Sequence, residues 1–309
     1  MTDRHTALAT RCETTPYHGA LGVRVESLEL DRVRLRVPYK DENSNPGRAL
    51  HGGVAASIID IAGTLAAWSA LEISDGTGRA DAVAETGTLD LGVSYLAAAI
   101  GEDIIASGRV LRRGKEIVYV DVDVTNDDGK PIAKGVVTHR AVSRAAVAER
   151  QRIADPAVLA GRVPDEGGEG DVPRLARAIV SVPFMARLGL DIVYMKDGLA
   201  RIRMPFKGEH ADGAGALHEG ALAALVDTTG AMASWSLTGI DFRYKASTVG
   251  IHVNYHGRAQ EEDVEAVGRT LRRNDEIFLN LVTVSGRRSR RLVATGSVTY
   301  RIVVPDGGA

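Results

Sequence analysis

The sequence predicts an α+β protein in which one domain of about 150 residues occurs twice. First, the stretch His51-Gly-Gly-Val-Ala-Ala-Ser-Ile-Ile-Asp60 returns 167 residues later (218 − 51) as His218-Glu-Gly-Ala-Leu-Ala-Ala-Leu-Val-Asp227, and both copies run on to a Trp, at Trp68 and Trp235. Second, each copy reads as a nearly all-apolar helix followed by runs rich in Val, Ile and Thr, without the βαβα alternation of a doubly wound parallel sheet. Third, 309 residues are long for one core and comfortable for two.

In chain order, a short leading segment precedes Arg34-Leu-Arg-Val-Pro-Tyr-Lys40, which alternates as a half-buried strand does and matches Arg201-Ile-Arg-Met-Pro-Phe-Lys207 at the same offset. The helix over 52 to 69 follows, apolar or small on every side and therefore expected to be buried. Thr88-Leu-Asp-Leu-Gly-Val-Ser-Tyr95 matches Thr248-Val-Gly-Ile-His-Val-Asn-Tyr255 at an offset of 160 (248 − 88), so the loop after the second helix is shorter by seven (167 − 160). Gly108-Arg-Val-Leu-Arg-Arg113 and Gly268-Arg-Thr-Leu-Arg-Arg273 keep that offset, with strand-like runs at 116 to 124 and 276 to 284 and closing runs at 132 to 141 and 291 to 303. Residues 142 to 163 are Ala- and Arg-rich and could be helical, while Pro164 to Asp171 has the composition of a solvated link. The expected division is an N-terminal domain over 1–145, a linker over 146–172 and a C-terminal domain over 173–309.

The net charge is −2 with both signs well mixed, which offers no broad footprint for nucleic acid or an anionic membrane. Cys12 is the single cysteine, so an intramolecular disulfide and a thiolate cluster are excluded, and a free thiol in a reducing compartment is expected. Nowhere do eighteen apolar residues occur in a row, and a soluble cytoplasmic protein is expected. No His, Cys and carboxylate group has metal-ligand spacing, and neither Gly-rich stretch has P-loop or Rossmann context, so neither a metal nor a nucleotide cofactor is expected.

The most informative residue is the lone acid in each helix. Asp60 and Asp227 would cost several kcal/mol if ionised without partners in an apolar surrounding. Each could satisfy donors at a domain interface, or each could serve chemistry; its recurrence nine residues after a His in both copies favours chemistry. Gly52 and Gly53 allow close backbone approach at the helix start, where free N–H groups and the dipole favour a carboxylate, a phosphate or a developing oxyanion. Nine residues at about 1.5 Å each separate His51 from Asp60 by roughly 14 Å, so one carbonyl cannot touch both. If the two helices lie antiparallel, the acid of each comes opposite the N-terminus of the other.

Asn45-Pro-Gly-Arg-Ala-Leu-His51-Gly-Gly, with Asp60 fifteen residues after Asn45 and Thr88 seven before Tyr95, resembles the hot-dog-fold acyl-CoA thioesterases of the phenylacetate-pathway type. The resemblance covers roughly 16–141 and 183–303. It implies a tandem double hot dog, two long helices wrapped by joined antiparallel sheets. It further implies that the first Gly after the His offers its N–H to the thioester oxygen, that the Asn and His bind or orient it, that the Asp across the interface is general base or nucleophile, and that a Ser or Thr positions water. Site one would then combine Asn45, His51 and Gly52 with Asp227 and Thr248, with Gly53 beside the substrate. Site two would combine Asp212, His218 and Glu219 with Asp60 and Thr88.

Asp212 stands where Asn45 stands, and Glu219 replaces Gly52, so site one is expected to be competent and site two weakened, dead or retuned. Arg112, Arg113 and Lys115, with Arg272 and Arg273, sit at apparent hairpin turns and could hold coenzyme A phosphates or be solvated tips. His139 and His252 read as structural or surface residues. Small residues Ala55, Ala56, Gly63 and Ala66 could leave space for an acyl chain or permit close packing. The resemblance implies an acyl-CoA substrate, no cofactor, and further pairing of the chain into a homodimer. A non-catalytic acyl-CoA binding or sensing protein is the second reading, and a hot-dog dehydratase, which would want its Asp/His pair elsewhere, the third.

Overall fold

The computed structural model describes residues 3–70, 83–114, 116–143, 172–241 and 243–303. In the N-terminal half, helices α1 (Asp3–Thr14) and α2 (Pro16–Leu21) lead into β1 (Arg24–Glu29) and β2 (Arg32–Val37), then α3 (Gly52–Ala70), β3 (Val83–Tyr95), β4 (Ile104–Arg113), β5 (Ile117–Thr125) and β6 (Pro131–Ser143). The C-terminal half repeats this order with α4 (Arg174–Val180), α5 (Pro183–Leu188), β7 (Asp191–Lys196), β8 (Leu199–Met204), α6 (Glu219–Thr238), β9 (Lys245–Tyr255), β10 (Val264–Asn274), β11 (Ile277–Gly286) and β12 (Leu292–Val303). Of the stretch expected to be helical over 142–163, Val142 and Ser143 belong to β6, and the rest, with all of the expected linker but Val172, lies outside the described residues.

The twelve strands among the described residues form one sheet in the order β1-β2-β4-β5-β6-β3-β9-β12-β11-β10-β8-β7, and every pairing between neighbours is antiparallel. The halves meet at β3 and β9, where Gly92 pairs with His252. Those two residues are also equivalent by the repeat (252 − 92 = 160), so the pseudo-twofold axis passes through that pair. A Cβ at Gly92 would stand 3.4 Å from the His252 ring, whose Nε2 lies 2.8 Å from Asp90 Oδ2.

The two central helices α3 and α6 pack against each other in the interior, each also against the strands of its own half. α3 is long and apolar enough by length and composition to cross a membrane, yet it is the core helix of its half, buried by sheet on one side and α6 on the other. A Cβ built on Gly53 would lie 2.6 Å from the Cβ of Ala224, and one on Gly220 2.9 Å from the Cα of Ser57. The sums 53 + 224 and 57 + 220 both equal 277, the signature of an antiparallel pair. The glycines therefore set the closest approach of the two helices. Gly220→Ala must push Ser57 and α3 aside, and a loss of about 1 to 3 kcal/mol in a denaturant titration is expected.

The leading helices cross over between halves. Tyr17 of α2 stacks on His218 at the head of α6 (4.9 Å between ring centroids), and Phe184 of α5 packs on His51 at the head of α3 (4.8 Å). Each half thus covers the N-terminus of the other half's central helix.

Candidate active site

The motif loops are built alike. In each, the residue preceding the helix caps it: Gly53 N–H donates to Nδ1 of His51 (2.9 Å) and Gly220 N–H to Nδ1 of His218 (3.0 Å). An imidazole that accepts at Nδ1 must be neutral, and burial holds His51 down at about 4 and His218 well below its ordinary value, where the His18 ring and Arg258 add to the depression. The expectation that His51 orients substrate is refined accordingly: its Nδ1 is committed to the backbone, and its ring packs on Phe184.

The antiparallel helices bring the residues of site one together. Thr248 on β9 donates to Asp227 Oδ1 at 2.5 Å, while Asp227 Oδ2 faces Gly52, 3.2 Å from where a Cβ would stand. Gly52 opens α3, so its N–H has no partner within the helix. Tyr95 donates its hydroxyl to the Gly52 carbonyl (3.2 Å). Burial raises the Asp227 pKa to about 6, with the Thr248 hydrogen bond pulling the other way. Asn45, His51, Gly52, Asp227 and Thr248 all line one cavity of about 790 Å³. Gly53 lies behind them, where α3 meets Ala224 and Phe184.

Site two has the same frame and different contents. Thr88 donates to Asp60 Oδ1 at 2.6 Å and Tyr255 to the Glu219 carbonyl at 2.9 Å. The side chain at position 219 reaches toward the acid: Asp60, His218 and Glu219 present ligand-type atoms within 4.8 Å of one another. Burial raises both carboxyls, and the Glu219 charge raises Asp60 further. The His218 ring has no lone pair left for an ion, since Nδ1 accepts from Gly220 and Nε2 meets His18 Nε2 at 2.8 Å, His18 itself donating from Nδ1 to the Cys12 carbonyl. Cys12 is a free buried thiol pushed up to about 12 by burial. Among the described residues, the space beside Asp212 and Glu219 amounts to about 20 Å³, enough for one water.

Asp212 also behaves differently from its sequence reading. Its Oδ1 accepts from the N–H groups of Ala214 (2.7 Å) and Ala216 (3.0 Å), and its Oδ2 pairs with Arg258. It braces its own loop and its charge is compensated there, so the replacement of Asn45 by an acid is not what distinguishes site two. The Glu219 side chain is.

The hairpin cations are not brought to the cavity. Arg112 and Arg113 end β4 and Arg272 and Arg273 lie near the end of β10, all exposed, and Lys115 lies outside the described residues. His139 is buried and bonded to Thr86 (2.7 Å), and His252 is partly exposed, consistent with structural and surface roles. The residues that sequence reading missed are Tyr95 and Tyr255, which tie each sheet to a helix head, and the crossed-over pair Tyr17 and Phe184. Their signal was present: each pair sits at matched positions of the repeat.

The Thioesterase superfamily model matches residues 47–133 and 214–284, once in each half. Acyl-coenzyme A thioesterase 13 of Homo sapiens is 30% identical over 106 residues, 34% of this chain and 69% of that protein. The medium/long-chain acyl-CoA thioesterase YigI of Escherichia coli is 32% identical over 133 residues, 40% of this chain and 84% of its own length. A solved hot-dog-fold protein of unknown function from Alicyclobacillus acidocaldarius superposes with a TM-score of 0.59 at 17% identity, covering 90% of this chain and 96% of that one. The first two relatives thus match less than half of this chain, and the last matches nine-tenths of it.

Proposed function

The chain belongs to the thioesterase superfamily as a tandem double hot dog and is a thioester hydrolase, and from that premise we propose that it hydrolyses acyl-CoA at site one, assembled from both halves. The thioester carbonyl lies at the head of α3 with its oxygen toward the Gly52 N–H, where the helix dipole favours the charge that develops there. Asp227 acts as general base. Thr248 holds its Oδ1, and Oδ2 faces the space at Gly52 where water attacks. The base takes a proton from water as the carbon–oxygen bond forms; the carbon–sulfur bond then breaks, and the proton passes to the departing thiolate, giving the free acid and CoA. A carboxylate with a pKa of about 6 is ionised at neutral pH and still basic enough to take the proton.

The observation that carries this reading is the position of Asp227 Oδ2 against the Gly52 head across the two halves, inside a cavity large enough for substrate. The test is release of free CoA thiol from acyl-CoAs of several chain lengths. Tight binding without release in any length class would assign the chain to binding or sensing instead. Thr248→Val refines it: loss of the hydrogen bond that favours the ionised acid should move the acid limb of the pH profile upward from about 6 and lower kcat on the order of tenfold. An unmoved limb would detach Asp227 from the rate.

A further inference from the structure

We propose that the arm of the site-one cavity that runs along α6 is an acyl pocket for straight aliphatic chains of medium length, with Ala231 setting its width. The proposal rests on the hydrolytic reading above. From Asp227 the cavity runs along one face of α6 past Thr228, Ala231 and Met232 to Trp235. Its opposite wall is the leading helical segment of the same half, with Ile179, Val182 and Met185. On the other side of the reacting position the cavity is rimmed by Pro46 and Leu96, both exposed, the second 57% so. The polyanionic nucleotide of CoA requires solvent, so it belongs at that exposed rim, and the acyl group lies along α6, where Ala231, Met232 and Trp235 are buried.

Eight residues separate Asp227 from Trp235, about 12 Å along the helix axis. A zigzag of carbon–carbon bonds of about 1.5 Å spans that length with on the order of eight to ten carbons. At the Trp235 end the indole N–H donates to the Tyr300 hydroxyl (3.2 Å) and Tyr244 stacks on the indole (6.3 Å between centroids, 12° between planes), so the arm ends against ordered aromatic faces.

The other half supplies an internal comparison. At the equivalent positions of site two, Ala231 becomes Thr64, Met185 becomes His18 and Ile179 becomes Cys12 by the 167-residue offset. Tyr300 becomes His139 by strand register, since Tyr300 pairs with Thr248 and His139 with Thr88. Those polar groups bond among themselves: Thr64 to His139 (3.4 Å), His139 to Thr86 (2.7 Å), and His18 to His218 (2.8 Å). An alkyl chain entering there would strand them, whereas the site-one arm presents apolar surface and few polar groups to strand.

Two readouts on the full chain separate this proposal from the hydrolytic one. The first is kcat/KM for butyryl-, octanoyl-, hexadecanoyl- and phenylacetyl-CoA. The second is calorimetric binding of the same compounds to Asp227→Asn, which reads the pocket whether or not the chain turns over. Each methylene buried multiplies affinity about fourfold, so octanoyl-CoA is expected to exceed butyryl- and phenylacetyl-CoA by at least about tenfold in both, with no further gain for hexadecanoyl-CoA. Ala231→Phe should lower the octanoyl-to-butyryl ratio by about tenfold or more. Ala231→Val should shift it in the same direction, and its shape is tolerated because Thr64 already stands at the matched helical position. A wild-type preference for the butyryl or phenylacetyl compound, a continued gain with hexadecanoyl-CoA, or an equal effect of both variants on every compound overturns the pocket. A binding preference for octanoyl-CoA without CoA release overturns the hydrolytic reading and leaves the pocket standing.

Discussion

Asp227→Asn is expected to lower kcat on the order of a thousandfold while leaving the fold intact, the magnitude usual for loss of a positioned general base. The amide is nearly isosteric with the carboxylate, and its oxygen can still accept the Thr248 hydroxyl that now meets Oδ1 at 2.5 Å. Stability should not fall with activity. The folded protein holds the acid at about 6, above its unfolded value, so the stability that Asp227 contributes in its protonated form is lost as pH rises through about 6. At pH 8 the neutral Asn is free of that penalty, and its melting temperature is expected to equal or exceed that of the parent. A buried residue with a purely structural role would behave in the opposite way, losing stability and activity together. The acid limb near pH 6 should also disappear from whatever activity remains.

Gly52→Glu is the second large effect. It copies into site one the residue that site two carries at the same place, Glu219. The backbone tolerates the change, because the equivalent helix begins with that glutamate and Gly52 is not among the glycines with positive φ. The site does not: a Cβ alone would stand 3.2 Å from Asp227 Oδ2 and 3.3 Å from the Tyr95 ring. Beyond it the carboxylate would lie beside the base, raising the Asp227 pKa as Glu219 raises that of Asp60, and would oppose the negative charge developing on the thioester oxygen. A loss of at least about a hundredfold in kcat/KM is expected, with the acid limb moved upward. Thermal melts distinguish this from unfolding. Activity within tenfold of the parent would mean that Glu219 is not what separates the two sites.

Much of this was legible in the residues themselves. The repeat located the start of both helices, because a nearly all-apolar stretch bounded by a His and a Trp admits few other readings, and the observed α3 and α6 begin at Gly52 and Glu219. The distance from His51 to Asp60 along one helix already excluded one carbonyl touching both, which left an antiparallel partner helix as the way to bring each acid to a helix head. Longer-range packing escaped. α2 and α5 have six residues each and no periodicity to read, so nothing local said that Tyr17 would cross to His218 or Phe184 to His51. The capping use of His51 depends on ring orientation, and the compensation of Asp212 depends on Arg258 arriving from 46 residues away. The hairpin arginines could be read from sequence either as a phosphate grip or as solvated tips, and the fold places them at exposed strand ends that do not line the cavity.

The central proposal is that the acid of one half works with the helix head of the other, and that one of the two pairings turns over. Its most direct test is kcat of Asp60→Asn measured beside Asp227→Asn on the same acyl-CoA. Asp60→Asn is expected to retain turnover within about twofold of the parent, since its change lies in site two, while Asp227→Asn falls on the order of a thousandfold. Loss of turnover in Asp60→Asn with retention in Asp227→Asn would contradict the pairing of Gly52 with Asp227.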